Sequence, residues 1–120
     1  MLTINHRNLA ETYVLDMEGK FRANTESIFW NAVQEAVVEQ GARKLVLNFE
    51  QVSECDSFGI SELLRVQNSI VNMRGKLYLV AINDLVRKVL TITKVIDLLT
   101  IRDNVEEAVA ELSETPQATA

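Results

Sequence analysis

One cysteine, one histidine, one proline and one tryptophan occur in 120 residues. Cys55 has no second cysteine to bridge, which excludes an internal disulfide and fits a reducing compartment. His6 stands near the N-terminus without cysteines or acids at metal-ligand spacing, so no metal centre is expected. A Cys55–His6 nucleophile and base would need an orienting third group, and the sequence specifies none. The four glycines form neither G-x-G-x-x-G nor the G-x-x-x-x-G-K-[ST] phosphate loop. No cofactor is therefore expected, and an enzyme is poorly supported. The start "MLTINHRNLA" has no long apolar run behind a basic end, so neither a signal peptide nor a membrane span is expected, and the cytoplasm is the expected location. Twelve basic residues against seventeen acidic ones, a net charge of −5, leave no basic stripe for direct contact with nucleic acid.

What is present suits one soluble domain. At 48% hydrophobic and 24% charged residues the chain is close to the globular average, and at this length about two-thirds of the unfolded surface can be buried. A single domain over 1–113 and a flexible tail over 114–120, around Pro116, are expected. Leu2–His6 is a weak strand pattern and Thr12–Met17 a stronger one, closed by Glu18-Gly19. A helix begins near Asn24 and carries Phe29, Ala32, Val33, Ala36 and Val37 on one face before Gly41, with Trp30 at its rim. Leu45–Phe49 reads as a strand buried on both faces, followed by a loop through Glu50 to Asp56. The next helix runs from Ser57 to Gly75. Ile60, Leu63, Leu64, Ile70 and Val71 recur at helical spacing, while Glu62, Arg65, Asn68 and Asn72 lie elsewhere.

Lys76–Ile82 repeats the buried-strand pattern, and Asn83-Asp84 caps a helix with Leu85, Val86, Val89, Leu90 and Ile92. Leu99–Ile101 is a last short strand. Asp103 with Glu106 then opens a helix carrying Val105, Ala108, Val109 and Leu112 inward. Two opening strands followed by alternating helices and strands imply an α/β sandwich, with one mixed sheet of four to five strands and about four helices.

The stretch "ECDSFGISELL" concentrates the functional signal. At the expected helix start Ser57 can act as the cap, its oxygen accepting the N–H of Gly59 or Ile60. The same end of a helix favours an anion, so a phosphate on Ser57 is also compatible with the position. Glu54 and Asp56 would then join that charge in facing a partner.

The order of "YVLDMEGKF", "KLVLNFEQVSECDSFGI" and "RGKLYLVAINDLVRKVLTIT" between helices resembles the STAS domain, specifically the stand-alone anti-sigma-factor antagonists, over about Thr3 to Leu112. The diagnostic part is an acid, a hydroxyl residue and a glycine with an apolar neighbour, met by Asp56, Ser57, Gly59 and Ile60. The resemblance implies a non-enzymatic partner switch in bacterial transcription control. Such proteins bind an anti-sigma factor that is also a serine kinase of the histidine-kinase-like ATPase type. Phosphorylation in this loop inactivates them, and a PP2C-type phosphatase restores them. Carried over to this chain, the resemblance makes Ser57 the phosphorylated residue and Asp56, Ser57, Phe58, Gly59, Ile60, Ser61, Glu62 and Arg65 the partner-binding residues.

Three positions depart from the family pattern. Phe58 replaces a frequent second hydroxyl, which leaves Ser57 as the only acceptor in the motif and is similar to the D-S-F form of stressosome-type scaffolds. Arg22 stands where an acid is frequent, and Lys94 where a glycine is. A constitutive scaffold or accessory STAS module, in which Ser57 only caps, and a nucleotide-binding STAS domain are the alternative readings.

Overall fold

A hairpin opens the computed structural model, which describes residues 2–9, 11–22 and 26–114. β1 (Leu2–Leu9) and β2 (Thr12–Phe21) pair antiparallel, from Leu2 opposite Gly19 to Leu9 opposite Thr12. The chain then alternates through α1 (Glu26–Gln34), β3 (Lys44–Cys55), α2 (Ser57–Asn72), β4 (Lys76–Val80), α3 (Asp84–Ile92), β5 (Thr100–Arg102) and α4 (Val105–Glu114). The sheet order is β1-β2-β3-β4-β5, with all pairs from β2 onward parallel. The expected mixed α/β architecture is present, with five strands and four α-helices among the described residues.

Parallel strands laid down in sequence order, joined by right-handed crossovers, put every connecting helix on one face of the sheet. Accordingly α1, α2 and α3 send Phe29, Leu63 and Leu90 into one core with Leu15, Leu47 and Phe49. α4 follows the last strand and covers the opposite face, burying Val105, Ala108 and Leu112 against Val14, Val46, Tyr78 and Val80. β3 explains its own apolar run: Leu45, Leu47 and Phe49 enter the first core and Val46 the second.

The helical stripes hold with local exceptions. α1 continues as a π-helical turn over Glu35–Glu39, keeps Ala36 and Val37 buried, and ends before Gly41 at φ +68°. Its expected start at Asn24 lies outside the described residues, as do residues 115–120 of the expected tail. In α2, Ile60, Leu63 and Ile70 are buried together with Val66, whereas Val71 is exposed. In α3 the stripe narrows to Val86 and Leu90, with Val89 half-buried. Leu85 and Ile92 lie off that stripe and are exposed.

Three boundaries correct the sequence reading. Glu50 to Cys55 is strand rather than loop, because β2 continues to Phe21 and supplies partners as far as Cys55. β4 stops at Val80, where Ala81 turns to φ +58°. The cap of α4 is Asn104 rather than Asp103, with its Oδ1 accepting the Glu107 N–H at 2.8 Å.

Candidate functional site

β3 and β4 pair only as far as Asn48 opposite Val80, but β3 and β2 continue together to Cys55 opposite Phe21. The last stretch of β3 is thus a two-stranded arm that carries α2 on its end. Its open side is satisfied locally: the Asn83 side chain donates to the carbonyls of Val52 (3.1 Å) and Ser53 (3.2 Å). The Asn83 Oδ1 also accepts the Val86 N–H at 2.8 Å, so one amide caps α3 and clamps the arm. Asn83 is legible in the sequence as a cap; its second role depends on Val52 and Ser53 being strand, which only the pairing with β2 establishes.

The turn from β3 into α2 corrects the expected role of Ser57. Asp56 has extended backbone angles (φ −101°, ψ −173°), and its Oδ1 accepts the N–H groups of Phe58 at 3.0 Å and Gly59 at 3.1 Å. Asp56 is therefore the cap, where a carboxylate also meets the positive end of the helix. Ser57 is the first residue within the helix and is exposed, and its carbonyl accepts the Ser61 hydroxyl at 3.0 Å.

The other expected site residues separate into two groups. Ser57, Phe58, Ser61 and Arg65 are exposed, and Phe58 presents a large apolar ring at 57% exposure. Gly59 and Ile60 are buried and hold the turn in place rather than present it. Glu62 is mostly covered and faces the Arg65 guanidinium at 3.7 Å. That guanidinium lies 3.9 Å from the centroid of the Trp30 ring, joining α1 to α2 by a cation–π contact. Trp30 is half-buried beside the fully buried Phe29, as the helix-rim reading required.

Two contacts around the turn were not legible in the sequence. The Phe21 carbonyl accepts the Asp56 N–H at 3.2 Å, so the end of β2 lies directly against the start of α2. Arg22, the next residue, reaches Glu54 on β3 at 3.3 Å. Arg22 could be singled out only as a departure from the family pattern; its partner depends on the register of β2 and β3.

Cys55 is a buried free thiol. Burial, reinforced by the Asp56 charge, pushes its thiol up to about 12. His6 pairs across β2 with Leu15, well away from Phe21 and Cys55, and contacts Glu35 at 3.1 Å. The Cys55–His6 pair is not assembled. Among the described residues no three His, Cys, Asp or Glu side chains are grouped to hold a metal, and no helix is long and apolar enough to cross a membrane.

The STAS domain model matches residues 3–108. The chain belongs to the STAS domain family. A Thermotoga neapolitana relative, provisionally named an anti-sigma factor antagonist, is 28% identical over 106 residues, covering 87% of this chain and 93% of its own. A crystal structure of a Thermotoga maritima protein of the same provisional description aligns with TM-score 0.86 at 22% identity, over 92% of this chain and 95% of that one. The Bacillus cell fate determinant SpoIIAA in its phosphorylated form aligns with TM-score 0.70 at 20% identity, over 92% and 99%. The overall fold is thus shared with these structures.

Proposed function

We propose that this STAS protein is an anti-sigma-factor antagonist whose binding to an anti-sigma serine kinase, of the histidine-kinase-like ATPase type, is switched off by phosphorylation of Ser57. The observation that carries this reading is the division of labour at the start of α2. Asp56 holds the helix N–H groups, so the Ser57 hydroxyl is exposed and not needed for the cap. In the transfer, the γ-phosphoryl of ATP passes to Ser57 Oγ, the hydroxyl proton leaves, and ADP is released. The antagonist itself performs no catalytic step. A PP2C-type phosphatase reverses the modification by hydrolysis, and the cytoplasm is where these partners act.

The exposed members of the turn, Ser57, Phe58, Ser61 and Arg65, form the docking face, with Phe58 as its apolar anchor; Asp56, Gly59, Ile60 and Glu62 support it from beneath. A phosphate adds about −1.5 to −2 charge. At about 6 Å from a partner carboxylate, each unit charge repels by roughly 3 kcal/mol at an effective dielectric near 20, or about a hundredfold in affinity. The phosphorylated form of SpoIIAA, which has this fold, supports the compatibility of such a charge with an intact domain.

Phosphosite mapping after incubation with the kinase and ATP tests the reading. Modification should fall on Ser57 and disappear in Ser57→Ala, which should still bind the kinase but no longer be released by ATP. A kinase that binds the chain and leaves Ser57 unmodified would overturn it.

A further inference from the structure

We infer that Arg22 is the counter-cation of the Ser57 phosphate: on modification its guanidinium leaves Glu54 and pairs with the phosphate. The inference rests on Ser57 as the acceptor and adds what the protein does with the charge once it arrives.

Position is the first argument. The Phe21 carbonyl bonds the Asp56 N–H at 3.2 Å, and a Cβ at Gly59 would approach that same carbonyl to 2.6 Å. The peptide linking Phe21 to Arg22 therefore lies against the first turn of α2, and the Arg22 side chain starts beside the turn that carries Ser57. Its contact with Glu54 places the guanidinium on the stretch that leads into Asp56 and Ser57.

Charge and exposure are the second argument. The Arg22–Glu54 contact is 3.3 Å, and the two side chains are 49% and 41% exposed. Such a solvated pair is weak and easily exchanged. A phosphate offers the guanidinium more charge than a carboxylate and three acceptor oxygens in a geometry suited to the planar fork. The charged groups on the elements that meet at the turn are Glu54 and Asp56 from β3 and the turn, Glu62 and Arg65 from α2, and Arg22 and Lys20 from the end of β2, Lys20 lying opposite Glu54 in the strand register. Glu62 and Arg65 face one another at 3.7 Å, with Arg65 over Trp30, and the Arg22–Glu54 contact lies at the surface.

The arrangement also accounts for the departure at position 22. An acid there would add to the repulsion around the phosphate, whereas an arginine offsets it. Arg22 is on the turn before and after modification, and its move uncovers Glu54, so the added charge of about −1.5 to −2 still faces the partner.

The test uses the full chain with phosphoserine installed at position 57 during synthesis, so that its result does not depend on any kinase. Phosphorus NMR across pH gives the second phosphate ionisation in the wild type, Arg22→Gln and Arg22→Lys. A unit positive charge about 5 Å away lowers that pKa by roughly 0.6 even at the dielectric of water. Arg22→Gln should therefore titrate higher by about that amount and Arg22→Lys should stay close to wild type, with the difference shrinking in high salt. The same titration in wild type and Arg22→Gln would overturn the inference. A cell in which Ser57 is never modified would instead overturn the proposed function and leave this titration as it stands.

Discussion

The carbonyl oxygen of Phe21 and the α-carbon of Gly59 are in such close contact that a Cβ at position 59 would sit 2.6 Å from that oxygen and 2.8 Å from the Cys55 sulfur. The end of β2, the end of β3 and the start of α2 meet there. Glycine at this position is required by space rather than by backbone angle.

Gly59→Ala sets two effects against each other. Alanine favours a helix over glycine by about 0.5–1 kcal/mol, but overpacking against backbone costs about 1–3 kcal/mol. A net loss of about 1–2 kcal/mol is expected from urea unfolding. An unchanged or raised midpoint would mean that the two strands do not approach α2 this closely.

Asp56 and Ser57 should separate cleanly by stability. Asp56→Ala removes the acceptor of the Phe58 and Gly59 N–H groups and should cost about 1–2 kcal/mol. Ser57→Ala, at an exposed position outside the cap, should stay within about 0.5 kcal/mol of wild type. The reverse order in thermal or urea unfolding would return the capping role to Ser57.

These two neighbours also show how far the sequence could be read. Both are good cap residues, and residue type alone did not choose between them; the extended backbone at Asp56 did. The same one-residue ambiguity moved the cap of α4 from Asp103 to Asn104. Helix faces and the doubly buried run Leu45–Phe49 were legible because burial repeats with a fixed period. The continuation of β3 to Cys55 was not, because Glu50, Gln51 and Ser53 are polar and belong to the sheet only through a partner strand whose register shifts between Asp16 and Glu18 and between Gly19 and Lys20. The candidate turn was therefore found, but the contacts that hold it, Phe21 with Asp56 and Arg22 with Glu54, appear only when β2 and β3 are placed side by side.

Lys94 is a local strain that can be removed. Its backbone is left-handed, at φ +63° and ψ +11°, and the side chain is exposed. That conformation costs a non-glycine residue about 1–2 kcal/mol, partly offset in Lys94→Gly by the extra freedom of the unfolded chain. A gain of about 0.5–1 kcal/mol is expected. It would also explain the usual preference for glycine at this place; a loss on urea unfolding would contradict the explanation.

Acid should weaken the fold through two carboxylates that tie elements together. At Asp16 burial pushes the pKa up, but hydrogen bonds from Arg7 and Asn48 and the Arg7 charge outweigh it and hold the group below its ordinary value. The Arg102 hydrogen bond, followed by that of Tyr78, holds Glu111 down to about 2 and links β5 and β4 to α4. For both groups the unfolded chain binds protons more readily. Their contribution is thus present above about pH 4.5 and is lost as pH falls through the folded values. Glu111→Gln should flatten the decline of stability between about pH 4.5 and 2; an equally steep decline in that variant would remove Glu111 from the account.

The central claim is tested most directly by quantitative pull-down from the native cell, with unmodified chain and chain carrying phosphoserine at position 57 as parallel baits. A histidine-kinase-like ATPase should be retained by the unmodified bait and depleted at least tenfold, and up to about a hundredfold, on the phosphorylated one. Equal retention of that ATPase on both baits would contradict the switch and leave Ser57 as part of a constitutive docking surface.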